Sequence, residues 1–260
     1  MILHNDFLYK FTHDGVRIYI VLLKDVVAQS VSIHHLSDDD AKTAGYVHTI
    51  ASCMAAMRKE NGASVCVCVK SPILYKKYTA IAEPDGRVRG RVDPFEPGIM
   101  KDNIILEVTQ RLSIRGDYTS VVTGADIEKA VSEYFQISQQ TIAKCAIRKL
   151  QDTYMCVLVE QFPITTPEEE VYRHAAEEEW QNLEPLLQAY KISNTDFIAL
   201  DKYEEKAYTP LKFGCTCTRR SIVRALQMLT TDEKAKLADK DGFTSIQCKY
   251  CGKEYKVKVI

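Results

Sequence analysis

The strongest constraint on this 260-residue chain is a set of four cysteines near its C-terminal end. Cys215 and Cys217 are separated by one residue, Cys248 and Cys251 by two, and thirty residues lie between the two pairs. A tail of about 50 residues seldom builds a sufficient apolar core alone, so metals or disulfides usually supplement it. Four thiolates suit tetrahedral Zn²⁺ and leave no open coordination position. The spacing therefore predicts one zinc ion per chain and argues against zinc-dependent hydrolysis.

The remaining cysteines indicate a reducing compartment. The chain has nine cysteines, an odd number, and five of them have apolar neighbours typical of buried free thiols: Cys53, Cys66, Cys68, Cys145 and Cys156. The N-terminal residues contain no basic region followed by an apolar run, and no stretch is long and apolar enough to span a bilayer. A net charge of -1 gives no overall attraction to nucleic acid or membrane. We expect a cytoplasmic globular protein with no membrane partner.

The sequence up to about Ile164 predicts an α+β core domain, with a mixed arrangement of sheets and helices over residues 1–164. Two segments have helical periodicity, and the first opens with a plausible cap at Ser37: residues 37–58 and 126–135. Five segments have the apolar, β-branched character of strands: residues 17–23, 64–70, 106–112, 141–147 and 154–160.

Composition changes after Thr165. Residues 165–213 are acidic, and Pro185 interrupts an apolar stripe formed by Leu183, Leu186, Leu187 and Tyr190. We expect short helices that depend on docking to a neighbour, and therefore a metastable helical linker. Beyond it, residues 214–260 are basic and contain the four cysteines, so they are predicted to form a small zinc-binding domain.

Two interpretations of the zinc site are available. The simpler one is a zinc ribbon that only holds the tail together. A switch is favoured because Cys-x-Cys is unusual in ribbons and because cationic residues near the cysteines favour thiolates, the form that oxidants attack: Lys212, Arg219, Arg220, Lys249 and Lys253. Zinc binding contributes roughly 10–16 kcal/mol to a small finger, comparable with the total stability of many domains. Oxidation that expels the metal should unfold the tail, destabilise the linker and expose apolar surface that binds unfolding proteins.

The cysteine-containing tail resembles the heat-shock protein 33 family of redox-regulated 33 kDa chaperonins. The similarity includes both cysteine pairs, the segment from Gly86 to Gly90, and Ala130–Gln140, which is similar to the family's Tyr-Phe-x-x-Ser-Gln-Gln run. It implies an ATP-independent holdase that is inactive with zinc bound. It also implies that oxidation pairs Cys215 with Cys217 and Cys248 with Cys251, that unfolded or partly folded clients are the partners, and that the oxidised form is a homodimer.

Two features depart from the family pattern. Lys70-Ser-Pro-Ile follows the strand at 64–69 where the family usually has a glycine-rich turn, and Thr-Arg rather than Ser-Arg follows the first cysteine pair. These departures leave the switch residues intact. They make the client site and the dimer surface less transferable from the family.

Other functions have weaker support in the sequence. A nucleic-acid-binding zinc module is the principal alternative, because the tail is basic and Arg87, Arg89 and Arg91 alternate along a strand. A thiol oxidoreductase using Cys248 and Cys251 is a third possibility, although this Cys-x-x-Cys does not lie at a βα junction. The chain has no P-loop, dinucleotide fingerprint, nucleophile elbow or His-Glu-x-x-His motif, so we predict no enzymatic activity.

Overall fold

The computed structural model describes residues 3–96, 98, 102–112, 116–189 and 203–259. These residues divide into two units, Met1–Phe213 and Gly214–Ile260. The architecture is the predicted α+β class.

The larger unit contains two β-sheets. Its strands, in chain order, are β1 (Phe7–His13), β2 (Val16–Leu23), β3 (Ser64–Ser71), β4 (Lys76–Ala82), β5 (Arg87–Pro94), β6 (Ile104–Leu112), β7 (Gly116–Gly124), β8 (Ala143–Leu150), β9 (Thr153–Gln161), β10 (Glu204–Pro210) and β11 (Lys212–Phe213). The first sheet has the order β10-β1-β2-β9-β8, and the second has the order β11-β5-β4-β3-β6-β7. Four of the five segments that the sequence predicted as strands fall within these elements, and the fifth, residues 141–147, begins two residues before β8.

The described residues of the larger unit also form four α-helices. They are α1 (Asp25–His34), α2 (Asp38–Ala55), α3 (Ile127–Tyr134) and α4 (Ala175–Ala189). A π-helical turn, Phe135–Gln139, extends α3, and a 3₁₀ turn, Pro167–Tyr172, precedes α4.

Helix α2 lies in the main core, where it contacts strands of both sheets. Its start is fixed by Ser37, whose hydroxyl accepts a hydrogen bond from the Asp40 amide, as the capping pattern predicted. Unlike a surface helix, α2 is buried on nearly all sides from Ala44 onward. This explains its small, weakly polar residues, because both sheets pack closely against it. Gly90 on β5 has no room for a side chain, since a Cβ there would lie 2.4 Å from Cε1 of His48.

Helix α4 covers the other face of the first sheet and completes a second core. Ala175, Ala176 and Leu183 are buried in that core, and Trp180 packs against it. The prediction that Pro185 interrupts the helix was wrong, because α4 continues through it to Ala189. Pro185 is exposed, so the carbonyl left without its helical donor faces the solvent side, where water can satisfy it.

Residues after α4 return to the sheets of the larger unit. Strand β10 pairs antiparallel with β1, and β11 pairs parallel with β5. Leu211, between them, is buried in the main core. Residues 204–213 are therefore strands rather than the helical linker that composition favoured. Residues 190–202, including Tyr190 of the predicted apolar stripe, lie outside the described residues, as do the side chains of Leu186 and Leu187.

The smaller unit is a β-hairpin with two short helices. Its elements are α5 (Arg219–Gln227), α6 (Thr231–Leu237), β12 (Phe243–Gln247) and β13 (Glu254–Lys258). Its buried core consists of Leu226, Cys248, Tyr255 and Val257. Such a small core implies that another interaction stabilises this unit.

Candidate metal centre

The four predicted ligand cysteines converge in the smaller unit. One Sγ atom from each of Cys215, Cys217, Cys248 and Cys251 lies within 4.8 Å of the other three. Two sulfur–sulfur distances between the sequence pairs are 3.7 Å for Cys215 and Cys248 and 3.4 Å for Cys217 and Cys251. The site joins the loop before α5 to the turn after β12, segments about thirty residues apart.

Local turns place the sulfur atoms. At the second pair, the Cys248 amide donates to the Lys253 carbonyl and the Gly252 amide donates to the Cys248 carbonyl, both at 2.9 Å. Gly252 has φ of 70°, a left-handed conformation that glycine adopts without steric cost. The turn therefore depends on the glycine that directly follows Cys251.

Backbone amides point at the sulfurs and shift their pKa values. Burial alone would raise the pKa of Cys248, but hydrogen bonds from the Tyr250 and Cys251 amides lower it to about 7. Burial raises the pKa of Cys215, and the pKa of Cys251 is raised for the same reason. After burial, the main causes of these pKa shifts are backbone amides and neighbouring sulfurs, rather than the lysine and arginine side chains that the sequence emphasised. The amides of this turn can therefore stabilise the thiolate form of Cys248 before another cysteine of the cluster loses its proton.

Tyr255 is a site residue that the sequence analysis missed. Its hydroxyl donates to the Cys217 carbonyl at 3.0 Å and lies 3.1 Å from the Cys217 Sγ. This contact raises the pKa of Tyr255 to about 12. The sequence does contain a signal for this role. Tyr255 follows the Cys-x-x-Cys turn closely, and it alternates with polar residues, as Val257 does, so its side chain is expected on the buried face of a strand. Its interaction with Cys217 is of the kind that would orient this candidate ligand from outside the coordination sphere.

The arrangement fits a tetrahedral zinc ion. Zn–S bonds of about 2.3 Å at tetrahedral angles separate sulfurs by about 3.8 Å. The separations of 3.7 and 3.4 Å are close to that value, and both greatly exceed the about 2.05 Å of a disulfide. The four residues together can hold a metal ion, and an all-sulfur set favours zinc among common divalent metals.

The other Cys-x-Cys sequence forms no comparable cluster. Cys66 and Cys68 lie on β3, paired with Ile81 and Thr79 of β4. Burial raises the pKa of both thiols, to about 11 for Cys66. These are the properties of packing residues in a strand, as the sequence favoured.

The arginines of β5 are paired with acidic residues. Arg87 contacts Glu83 at 2.5 Å and Asp85 at 2.9 Å, Arg89 contacts Glu83 at 2.7 Å, and Arg91 contacts Asp93 at 3.0 Å. Neutralised guanidinium groups attract phosphate weakly, so this strand does not favour the alternative of nucleic-acid binding.

Comparison with known proteins identifies the family. The family model described as Hsp33 protein matches residues 6–258. The chain belongs to the Hsp33 family. Hsp33 relatives named 33 kDa chaperonin include those of Thermosipho melanesiensis, 21% identical over 94% of this chain and 92% of the relative, and Pseudomonas syringae pv. tomato, 24% identical over 96% and 90%. The Thermotoga maritima Hsp33 crystal structure shares the fold, with a TM-score of 0.75, 20% identity and coverage of 98% of this chain and 96% of that one.

Membership of the Hsp33 family makes this protein a molecular chaperone and not an enzyme. The Hsp33-like motifs have structural roles here. In the Tyr-Phe-x-x-Ser-Gln-Gln run, the Tyr134 hydroxyl is held by the amide groups of Gln110 at 2.6 Å and Gln139 at 3.1 Å. Within the described residues, no helix has the length and apolar character needed to cross a membrane.

Proposed function

We propose that this protein is a redox-regulated, ATP-independent holdase, with zinc at Cys215, Cys217, Cys248 and Cys251 in the reduced, inactive state. The observation that carries this proposal is the four-sulfur cluster at the centre of a unit with only four buried core residues, two of which, Cys248 and Tyr255, belong to the site. Because zinc binding contributes roughly 10–16 kcal/mol, its loss removes most of the stability of this unit.

Oxidation supplies the signal. In the proposed active state Cys215 pairs with Cys217 and Cys248 pairs with Cys251, as in the family that the chain resembles. Each disulfide forms when two thiolates lose two electrons to an oxidant such as peroxide, and the zinc ion leaves. Because all four cysteines are free thiols in this structure, each sulfur pair must approach to about 2.05 Å, and the turns must rearrange after the metal leaves. Peptide mapping of the oxidised protein tests the pairing, and a Cys215–Cys248 bond would contradict it.

Uncovering of the first sheet supplies the client surface. Under α4 the sheet carries an apolar set that is almost fully buried: Ile18, Ile20, Met155, Val157 and Val159. Among its described side chains, helix α4 contributes Ala175, Ala176 and Leu183 to this contact, with Trp180 packed against it, and its outer face is highly acidic. A helix docked on a sheet through one face can detach locally at a lower free energy than global unfolding. We propose that, once residues 214–260 unfold, the part of the acidic linker (residues 165–213) that precedes β10 detaches, so that α4 leaves the sheet and clients bind there.

Zinc content and chaperone activity measured together test this proposal. The reduced protein is expected to hold one zinc per chain and to suppress client aggregation poorly. Peroxide with mild heat should release the zinc and raise suppression, measured by light scattering of an unfolding client. The single tryptophan, Trp180, lies on α4, so its fluorescence should change in the same time course.

Two multiple variants separate the switch from general thiol oxidation. Replacing all four site cysteines by serine should abolish the response to peroxide, whereas the matched Cys66→Ser/Cys68→Ser variant alters the other Cys-x-Cys and should respond like the unmodified protein. A full peroxide response from the quadruple variant would rule out the proposed switch.

Assembly and location complete the proposal. We expect the active, oxidised protein to be a cytoplasmic homodimer that binds unfolded or partly folded proteins. Light scattering coupled to size-exclusion chromatography should report twice the chain mass after oxidation, and a monomer that retains full activity would contradict this part.

A further inference from the structure

A cation-lined cavity opens at the C-terminal end of α2. Its volume is about 250 Å³. The walls come from β1, β2 and the residues that follow α2: Lys10, Phe11, Thr12, Arg17, Tyr19, Ala56, Met57 and Lys59. Three of these residues are cations and none is a carboxylate. The cavity lies in the larger unit, and the proposed chaperone mechanism assigns it no role.

The cationic side chains at this cavity are only partly compensated. The carboxylate of Glu160 lies close to one of these cations, and its Oε2 is 3.6 Å from the Arg17 guanidinium, beyond an ordinary hydrogen bond. Within the described part of the chain, that buried Oε2 and the buried Nε of Arg58 have no hydrogen-bond partner. Lys10, Arg17 and Lys59 line the cavity and none of its lining residues is acidic, so the lining itself carries excess positive charge.

The fold holds two of these cations in place. Lys10 donates a hydrogen bond to the carbonyl of Ala56, at the C-terminal end of α2, and retains two further N–H groups. The guanidinium of Arg17 lies 4.7 Å from the ring centre of Phe162. The pairing of β1 with β10 shifts register between Lys10 and Phe11, an irregularity that is common beside functional sites. Preorganised donors bind a ligand with less loss of side-chain entropy.

The protonation properties of the lining residues agree with uncompensated positive charge. Burial lowers the pKa of Lys10, and the neighbouring charges of Lys59 and Arg17 lower it further. A bound anion would offset the lowering of the Lys10 pKa by the charges of Lys59 and Arg17. Clefts that combine burial with clustered charges of one sign are candidate functional sites.

We propose that this cavity binds a small multivalent phosphate anion, of the size of inorganic phosphate or pyrophosphate. The choice of anion follows from the three cationic residues in the lining, because lysine and arginine are the usual ligands of phosphate oxygens. The size follows from the volume, which is below the roughly 300–1,000 Å³ of pockets that enclose drug-sized ligands. Bound anion joins β1 and β2 to the segment after α2 and stabilises the core.

Thermal unfolding of the reduced, zinc-loaded full chain tests the site. Pyrophosphate is titrated at constant ionic strength, balanced with sodium chloride, because screening alone changes stability. A saturable rise of the unfolding temperature of the larger unit is expected, since a ligand that binds only the folded state stabilises it. ADP, which carries the same diphosphate on a nucleoside, should bind no more tightly than pyrophosphate. Tighter binding of ADP would contradict the proposed size limit.

Two matched substitutions, each removing one lysine charge, test whether pyrophosphate binds in this cavity. Lys59 is exposed, so Lys59→Gln should fold normally and weaken pyrophosphate binding about fivefold, as expected for loss of one ion pair. The control is Lys42→Gln, an exposed position near the opposite end of α2, roughly 20 Å away along the helix. Isothermal titration calorimetry measures both. No saturable binding, or equal weakening in the two variants, would overturn the proposal.

Discussion

At the scale of single residues, Tyr255 connects the hairpin of the smaller unit to the cysteine cluster. Its hydroxyl hydrogen-bonds to the Cys217 carbonyl, and its ring is buried beside Val257. One side chain therefore contributes both to the small core and to the orientation of a ligand. Sequence spacing identified the four sulfurs, but it gave no distance between Tyr255 and Cys217, which are 38 positions apart.

Removing this hydroxyl should weaken metal binding without unfolding the protein. Tyr255→Phe retains the buried ring and loses the contact with Cys217, and loss of such an outer partner typically costs about 10–100-fold in metal affinity. Competition with a chromophoric zinc chelator measures the affinity. The control is Tyr208→Phe, whose ring is 63% exposed on β10. Unchanged zinc affinity in Tyr255→Phe would show that the hydroxyl has no influence on the ligand.

A second residue-scale prediction concerns His48. Its Nδ1 donates to the Ala44 carbonyl at 2.6 Å, and its ring fills the space beside Gly90. Burial lowers the pKa of His48 to about 4, below the about 6.5 of an unfolded chain. Neutral His48 therefore stabilises the fold above about pH 6.5, and that contribution, of the order of 3 kcal/mol, is lost as pH falls toward 4.

Urea unfolding at pH 7 and pH 4.5 measures this effect. The loss of unfolding free energy between these pH values should be smaller in His48→Gln than in the unmodified protein, because glutamine does not titrate. His174→Gln, at an exposed position, is the control and should retain the full pH dependence. An identical pH dependence in all three proteins would contradict a role for His48.

At the scale of elements, the sequence predicted those helices and strands whose formation depends on local capping and apolar patterns. Helix α2 begins at the predicted cap, and β2, β3, β6, β8 and β9 match their apolar segments. Strand β10 was not predicted, because its identity depends on pairing with β1, nearly 200 positions earlier in the chain. Helix α4 was predicted to be interrupted because the sequence does not indicate that Pro185 faces solvent. Tertiary context decided both elements.

Weakening the attachment of α4 should activate the chaperone without oxidation. Leu183 is 1% exposed beneath the helix, and Leu183→Ala removes about 2–5 kcal/mol of packing. Amide exchange in residues 175–189 should become faster, and suppression of client aggregation by the reduced protein should increase. Val171→Ala is the control, since Val171 is 76% exposed in the preceding 3₁₀ turn. If amide exchange becomes faster but suppression of client aggregation does not increase, release of α4 does not create the client-binding surface.

At the scale of the whole molecule, the two units differ in what stabilises them. The larger unit has two extended apolar cores, whereas the described residues of the smaller include a core of four buried residues, one of them Cys248 of the cysteine cluster. Zinc removal by a chelator under reducing conditions should therefore unfold residues 214–260 first. Calorimetry should detect an early, zinc-dependent transition and a later one from the main cores. A single transition unaffected by chelation would contradict this division.

The return of β10 and β11 to the larger unit determines how the proposed active state closes again. Helix α4 ends at Ala189 on the same sheet that β10 rejoins at Glu204. When α4 detaches, the segment remains tied at its far end through β10, so detachment opens a loop and does not release a free tail. Re-docking is then intramolecular, and its rate is independent of protein concentration. After reduction and zinc rebinding, α4 would compete with bound clients for the first sheet. Because α4 belongs to the same chain, it always remains close to that surface and would displace the clients.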